Sequence, residues 1–240
     1  MPACTFKIVA LSGGSSGGGG GATSTTTSKT YSDGTRETKV VTKSDKATVT
    51  TTTTKYPNGT SDKVKKVENK DGSGSVTETH TNKEGEVKET KVVTDKSKTV
   101  TEVTTTTASA DKTDTTFATY SADENNLKLK VLGTTEAEVT IPAYVTADGK
   151  DYRVTAIAQK AMAGNTTVKK VTIGKNITAI GKQAFKDAEK LKTVVVKGKV
   201  NYVGKGAFDG IHKKAVIKID ASKKTTRPSK SLLQRAAKYP

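Results

Sequence analysis

The sequence has no tryptophan, one cysteine and two histidines, and no apolar run approaches the roughly 18 residues of a membrane-spanning helix. Cys4, standing alone, permits neither an internal disulfide nor a cysteine-built zinc site. His80 and His212 are far apart in the chain, and no HExxH, GxSxG or GxxxxGK[ST] pattern occurs. No catalysis, metal or cofactor is therefore expected. Apolar residues are also scarce, at 32% against the roughly 45–50% of an ordinary globular chain.

The scarcity is local. From Thr23 to Thr116 there are 29 threonines and two tyrosines, Tyr31 and Tyr56, so this stretch cannot bury a conventional core. From Thr119 onward apolar residues return at regular intervals. The positive charge follows them, because residues 119–240 hold 24 Lys and Arg against 10 Asp and Glu. Such a field favours anionic partners.

Three segments are expected. Residues 1–22 end in a Gly/Ser-rich run expected to be a linker or shortened leader; the apolar patch Phe6–Leu11 follows no basic leader, so a conventional signal peptide is not expected. No apolar run precedes Cys4, as a lipid-modified cysteine requires. Residues 23–118 carry turn signals every 12–13 residues, at SDGT, SDKA, PNGT, KDGSG, KEGE and TDKSK, between Val/Thr runs. The turns and β-branched runs predict a chain of hairpins, while the thin apolar content leaves an extended disordered stalk as the alternative. An internal copy, ETKVVTKSDKATVTTTTT from Glu37 and ETKVVTDKSKTVTEVTTTT from Glu89, is offset by 52 residues, about four hairpin arms. Either way this segment reads as a spacer.

Residues 119–240 form the third segment, and within it a 23-residue period runs without insertion. Val154, Ile177 and Val200 align, as do Ile157, Ile180 and Val203; Ala161, Ala184 and Ala207; and Met162, Phe185 and Phe208. The same step joins Val168 to Leu191, Val171 to Val194 to Ile217, and Ile173 to Val196 to Ile219. Of the 21 positions in these seven columns only Lys214 is not apolar. Each repeat predicts one solenoid coil: an extended VxI segment, a glycine-marked bend, and one helical turn around Ala-Phe. A single coil cannot cover its apolar side, whereas stacked coils bury one another's ladders. Alternating strands over 126–157 predict an N-terminal β cap. RPSKSLLQRAAKYP predicts a helical C-terminal cap, N-capped by Ser229, with Leu232, Leu233, Ala236 and Ala237 on one face.

VTAIAQKAMAG, ITAIGKQAFKD and VNYVGKGAFDG, each followed by a strand such as KKVTIGK, LKTVVVKG or KAVIKI, resemble the BspA-like leucine-rich repeats of bacterial surface proteins. That family has a 23-residue unit with an I-G-x-x-A-F core, and the resemblance covers roughly residues 119–220. It implies an α/β leucine-rich-repeat solenoid with a parallel sheet along one face, export to the cell surface or medium, and adhesion or interaction without catalysis. The family position after Ala-Phe that often carries Cys or Asn reads Asn165, Ala188 and Ile211, and Met162 replaces the usual Phe. No LPxTG-like sorting signal occurs, so wall attachment through one is not expected.

The expected function is binding of a protein or glycan ligand, a host or cell-wall component, by a monomer. Tyr152, Tyr202 and the strand residues Thr172, Lys192 and Val195 are its expected contacts. The alternative is retention on an anionic wall polymer by lysine rows. The repeat aligns Lys169 with Lys192, Lys190 with Lys213 and Lys182 with Lys205, which stacked coils bring about 4.8 Å apart. Without aromatic interleaving to stack bases, nucleic acid is the weaker polymer.

Overall fold

The computed structural model describes residues 4–9 and 22–219, the first of these as backbone. Nearly all of the expected Gly/Ser linker and the whole helical cap around Ser229, Leu232, Leu233, Ala236 and Ala237 lie outside the described residues. The chain divides into two units, Met1–Thr101 with Thr107–Ala110, and Glu102–Thr106 with Asp111–Pro240.

The first unit is an antiparallel meander. Its strands are β1 (Cys4–Val9), β2 (Thr23–Tyr31), β3 (Arg36–Lys43), β4 (Ala47–Lys55), β5 (Ser61–Asn69), β6 (Gly74–Thr81) and β7 (Val87–Thr94), each paired to the next. The ends of β8 (Val100–Ala108) belong to this unit and its middle to the second. The threonine-rich chain is thus hairpins, with the two sequence copies four strands apart, at β3 and β7. Among the described side chains of β2 to β7 only Thr90 and Val92 are buried, so the unit is a single layer without an apolar core.

Local chemistry holds this layer. β-branched side chains favour the pleated backbone, and hydroxyls meet across strands, as in Ser24 with Thr42 (3.3 Å) and Ser28 with Thr38 (3.4 Å). In the turns a short acceptor takes the amide two residues on: Thr35 N–H donates to Asp33 Oδ1 (2.8 Å), Thr60 N–H to Asn58 Oδ1 (3.0 Å) and Ser73 N–H to Asp71 Oδ1 (2.9 Å). Only the following glycine takes positive φ, 87° at Gly34 and 88° at Gly59, which makes each loop a normal turn closed by a glycine bulge.

The second unit contains β9 (Thr115–Asp123), β10 (Asn126–Thr134), β11 (Glu138–Ile141), β12 (Tyr144–Ala147), β13 (Lys150–Ile157), β14 (Lys170–Ile173), β15 (Ala179–Ile180), β16 (Thr193–Val196), β17 (Tyr202–Val203) and β18 (Val216–Ile219). Two parallel ladders run through it, β10–β13–β15–β17 and β11–β14–β16–β18, while β9 and β12 add antiparallel to β10 and β13. The 23-residue columns become adjacent layers: Ile157 pairs with Ile180 and Ile180 with Val203, and Val171 with Val194 and Val194 with Ile217. Val154, Ile177 and Val200 are fully buried, as are Ala184 and Phe185. Burying each such Val, Ile or Phe contributes about 1.5–3 kcal/mol, and only the stack makes that burial available.

Two expectations are corrected. The Ala-Phe segments are not helical, and no helix occurs among the described residues, so the unit is a β-solenoid rather than an α/β mix. A helix needs each amide to bond the carbonyl four residues back, but here alternate amides bond the next coil, Lys160 N–H to Lys182 O (3.1 Å), Met162 N–H to Ala184 O (2.8 Å) and Gly164 N–H to Lys186 O (2.7 Å), while Ala163 and Asn165 bond carbonyls only three residues back. One coil on, Gln183, Phe185 and Asp187 donate in the same way to Lys205, Ala207 and Asp209. Positive φ recurs in this stack at Lys160, Gln183 and Gly206, and again at Gly164, Asp187 and Gly210, bending each coil without a helix.

The second correction concerns 126–157, which is more than a cap. Leu127 pairs with Val154, Leu129 with Ile157, Val139 with Val171 and Ile141 with Ile173. Residues 126–141 are therefore an irregular first coil, and the solenoid has four coils. Its partners lie 27 residues on at Leu127, 28 at Leu129 and 32 at Val139 rather than 23, which hides this coil from a search for the period.

Candidate ligand-binding face

The four-stranded parallel sheet turns alternate side chains inward and outward. Inward, Val139, Ile141, Val171, Ile173, Val194 and Val196 are buried. Outward, the register makes two rows, Glu138–Lys170–Thr193–Val216 and Thr140–Thr172–Val195–Lys218. Each row runs across four backbone-bonded strands, which fixes its spacing at about 4.8 Å per residue. The first row holds one ion pair, Lys170 Nζ to Glu138 Oε2 at 2.7 Å, and Val216 is 51% exposed. This face is mixed in character, with hydroxyls, two valines and opposite charges.

The expected contacts divide. Thr172 and Val195 are direct neighbours in the second outward row. Lys192 precedes β16 rather than lying within it, with its amide donating to Lys169 O (2.8 Å). Tyr202 is 59% exposed but sits on β17, in the other ladder, paired with Ala179. Tyr152 is corrected: it is only 3% exposed, because β13 alternates and places Tyr152 and Val154 inward, and that burial, with Asp148 nearby, raises its phenol pKa. The five residues do not form one surface.

The six lysines of the alternative reading are all exposed, and none forms an ion pair among the described residues. Stacking carries Lys169 against Lys192, and it carries Lys205 beside Lys182 through the amide of Gln183 (3.1 Å to Lys205 O). His212 is half-buried in a bend, where its Nδ1 accepts from Lys214 N–H at 3.1 Å. His80 Nδ1 lies 2.6 Å from Asp62 Oδ1 in the meander, and Tyr56 O–H donates to Asp62 Oδ2 at 2.9 Å. Among the described residues no group of three or more His, Cys, Asp or Glu could hold a metal, and no helix is long and apolar enough to cross a membrane.

Glu138, Thr140, Lys170, Thr193, Val216 and Lys218 complete the outward rows and were not singled out from sequence. Outward columns vary in residue type, so they leave no periodic signature. Only the alternation in AEVTI, matching KKVTI one coil later, announces them.

The sequence model of the BspA type leucine rich repeat region, described as six copies, matches residues 150–232. Residues 150–232 carry BspA-type leucine-rich repeats. The BspA-type match begins at β13, the first strand from which the 23-residue step is regular. A solved leucine rich cell surface protein from Faecalibacterium prausnitzii A2-165 is 23% identical, with a TM-score of 0.37 over 42% of this chain. The chain spans 30% of that protein's length. No curated protein matches the chain.

Proposed function

We propose that the chain is a non-enzymatic bacterial cell-surface or secreted protein whose solenoid binds a protein or glycan ligand, with the threonine-rich meander as spacer. The carrying observation is the outward face of β11–β14–β16–β18, two four-residue rows held by backbone bonds over a buried ladder. A face whose side chains are positioned by four paired strands enters a complex with little ordering left to do. Thr172 and Val195 occupy its centre, and a surface role accords with the BspA-type repeats. The test is saturable binding of labelled full-length chain to bacterial and host-cell surfaces. T172E/V195E is expected to weaken it by at least about tenfold, the loss given by charges at a desolvated centre. Equal binding by wild type and this variant removes the sheet face from the proposal.

A second reading, electrostatic retention on an anionic wall polymer, draws on the exposed and unpaired Lys169, Lys182, Lys190, Lys192, Lys205 and Lys213. Its dependence on salt separates it from the first.

A further inference from the structure

Away from the outward rows and the six lysines, one corner of the solenoid gathers hydrogen-bond donors. Tyr144 on β12 pairs with Arg153 on β13, so their side chains are cross-strand neighbours. The bend after β14 brings Lys175 and Asn176 to the same place. Lys175 Nζ lies 5.9 Å from the centre of the Tyr144 ring, and Asn176 Nδ2 donates to Ala143 O at 3.0 Å. The next coil adds charge of the same sign: Lys197 N–H donates to Ile173 O at 3.0 Å, and Gly198 passes directly over the Lys175 backbone.

Arg153, Lys175, Lys197 and Lys199 form no ion pair among the described residues. The acid nearest in sequence, Asp151, accepts from Thr146 O–H at 2.6 Å. Tyr144 remains 42% exposed, so the cluster is open to solvent. A guanidinium, an ammonium and an amide gathered around one phenol, with no ion pair to a carboxylate among the described residues, are complementary to a multi-oxygen anion.

We propose that Tyr144, Arg153, Lys175 and Asn176 form a binding site for an oxyanion, the phosphate, sulfate or carboxylate group of an anionic ligand. The site differs from the lysine rows in being a discrete cluster of four residue types rather than a field. The Tyr144 phenol is held below the usual tyrosine range, first by hydrogen bonding with Asn176 and then by the charges of Arg153 and Lys175. A bound anion will reverse that lowering.

The test is an NMR titration of the full chain with inorganic phosphate, sulfate or acetate, each replacing chloride at constant ionic strength. The expected result is saturable movement of the Arg153 Nε–H and Asn176 Nδ2 signals. R153Q/K175Q weakens it by at least about tenfold, the scale of two charge-assisted hydrogen bonds, and K169Q/K192Q leaves it unchanged. Y144F weakens it by about threefold, as for one neutral hydrogen bond. Tighter binding of phosphate or sulfate than acetate assigns a tetrahedral ester as ligand, and the reverse order assigns a carboxylate. Shifts that never saturate, or that persist in R153Q/K175Q, overturn the site.

Discussion

Phe185 and Phe208 stack with ring centroids 5.2 Å apart and planes 2° from parallel. The separation is close to the distance between neighbouring strands, so the rings are spaced by the coil repeat itself. Both are buried, at 0% and 3% exposure, beneath Met162 in the same column. F185A opens a cavity between coils and should cost about 3–5 kcal/mol. M162F restores the aromatic of the repeat and should change stability by under about 1.5 kcal/mol. Urea denaturation followed by circular dichroism measures both, and a loss under about 1 kcal/mol for F185A contradicts the stacked core.

The glycines of the repeat separate into two physical classes. A Cβ on Gly204 would lie within overlap of Lys182 N, and one on Gly181 would lie 2.5 Å from Ala158 C, so backbones of adjacent coils meet there. Gly164 instead has φ of +69° and open space around its missing Cβ, while Asp187 one coil later adopts +58°. G204A should therefore destabilise by about 2–4 kcal/mol, the range of backbone-level overpacking. G164N should cost under about 1 kcal/mol, since Asn tolerates the left-handed region. Equal losses in the two variants contradict this division.

What was legible in the sequence follows from what repeats. The columns through Ile157, Ile180 and Val203 had to become layers, because only stacking covers them, and they did. The hairpins were announced by turn residues, since Asp33, Asn58 and Asp71 bond their own backbone locally. The Ala-Phe turn was misread because helix period and a tight non-helical corner look alike over six residues. What separates them is the destination of the Met162 and Phe185 amides in the next coil, a long-range fact. The first coil was hidden because its partners lie 27 to 32 residues on rather than 23, and Tyr152 by an alternation that points it inward. The oxyanion corner mixes β12, β13 and a later bend, residues without common spacing.

Tyr120 gives the second unit an alkaline limit. It is 1% exposed, and burial pushes its phenol up to about 12, against a smaller opposing contribution from its hydrogen bond with Thr105. The folded state therefore holds its proton more tightly than the unfolded state, whose phenol titrates at 10.0. The resulting stability is complete below pH 10.0 and is lost as pH rises toward about 12. Over that span wild type should lose about 3 kcal/mol more than Y120F. Urea midpoints measured from pH 9 to 12 for the two proteins check this, and parallel curves refute it.

Asp62 sets a smaller dependence at the acid end. Its carboxyl is held below 3.8, mainly by the hydrogen bond with His80 and also by that with Tyr56. A depressed folded value means the contribution is present above pH 3.8 and disappears as pH falls through the folded value. The Asp62 side chain is 43% exposed, so solvent screening limits the loss in D62N at pH 7 to about 0.5–1 kcal/mol. The D62N and wild-type midpoints should converge in strong acid. A D62N loss that persists there assigns the residue a packing role instead.

Salt discriminates the two functional readings. Association through the lysine rows proceeds by counterion release, so log affinity should fall linearly with log salt. If about four of the six lysines meet phosphates, the slope is about −3, and K169Q/K192Q should flatten it by about 1.5. A ligand seated on the Thr172–Val195 row is held by contacts that salt does not screen, so its affinity should change little over the same range. Measuring binding to cell surfaces from roughly 50 to 500 mM salt for wild type, T172E/V195E and K169Q/K192Q therefore gives opposite patterns. A steep slope roughly halved by the lysine variant excludes the sheet face as the principal contact. A flat response abolished by T172E/V195E excludes retention by charge.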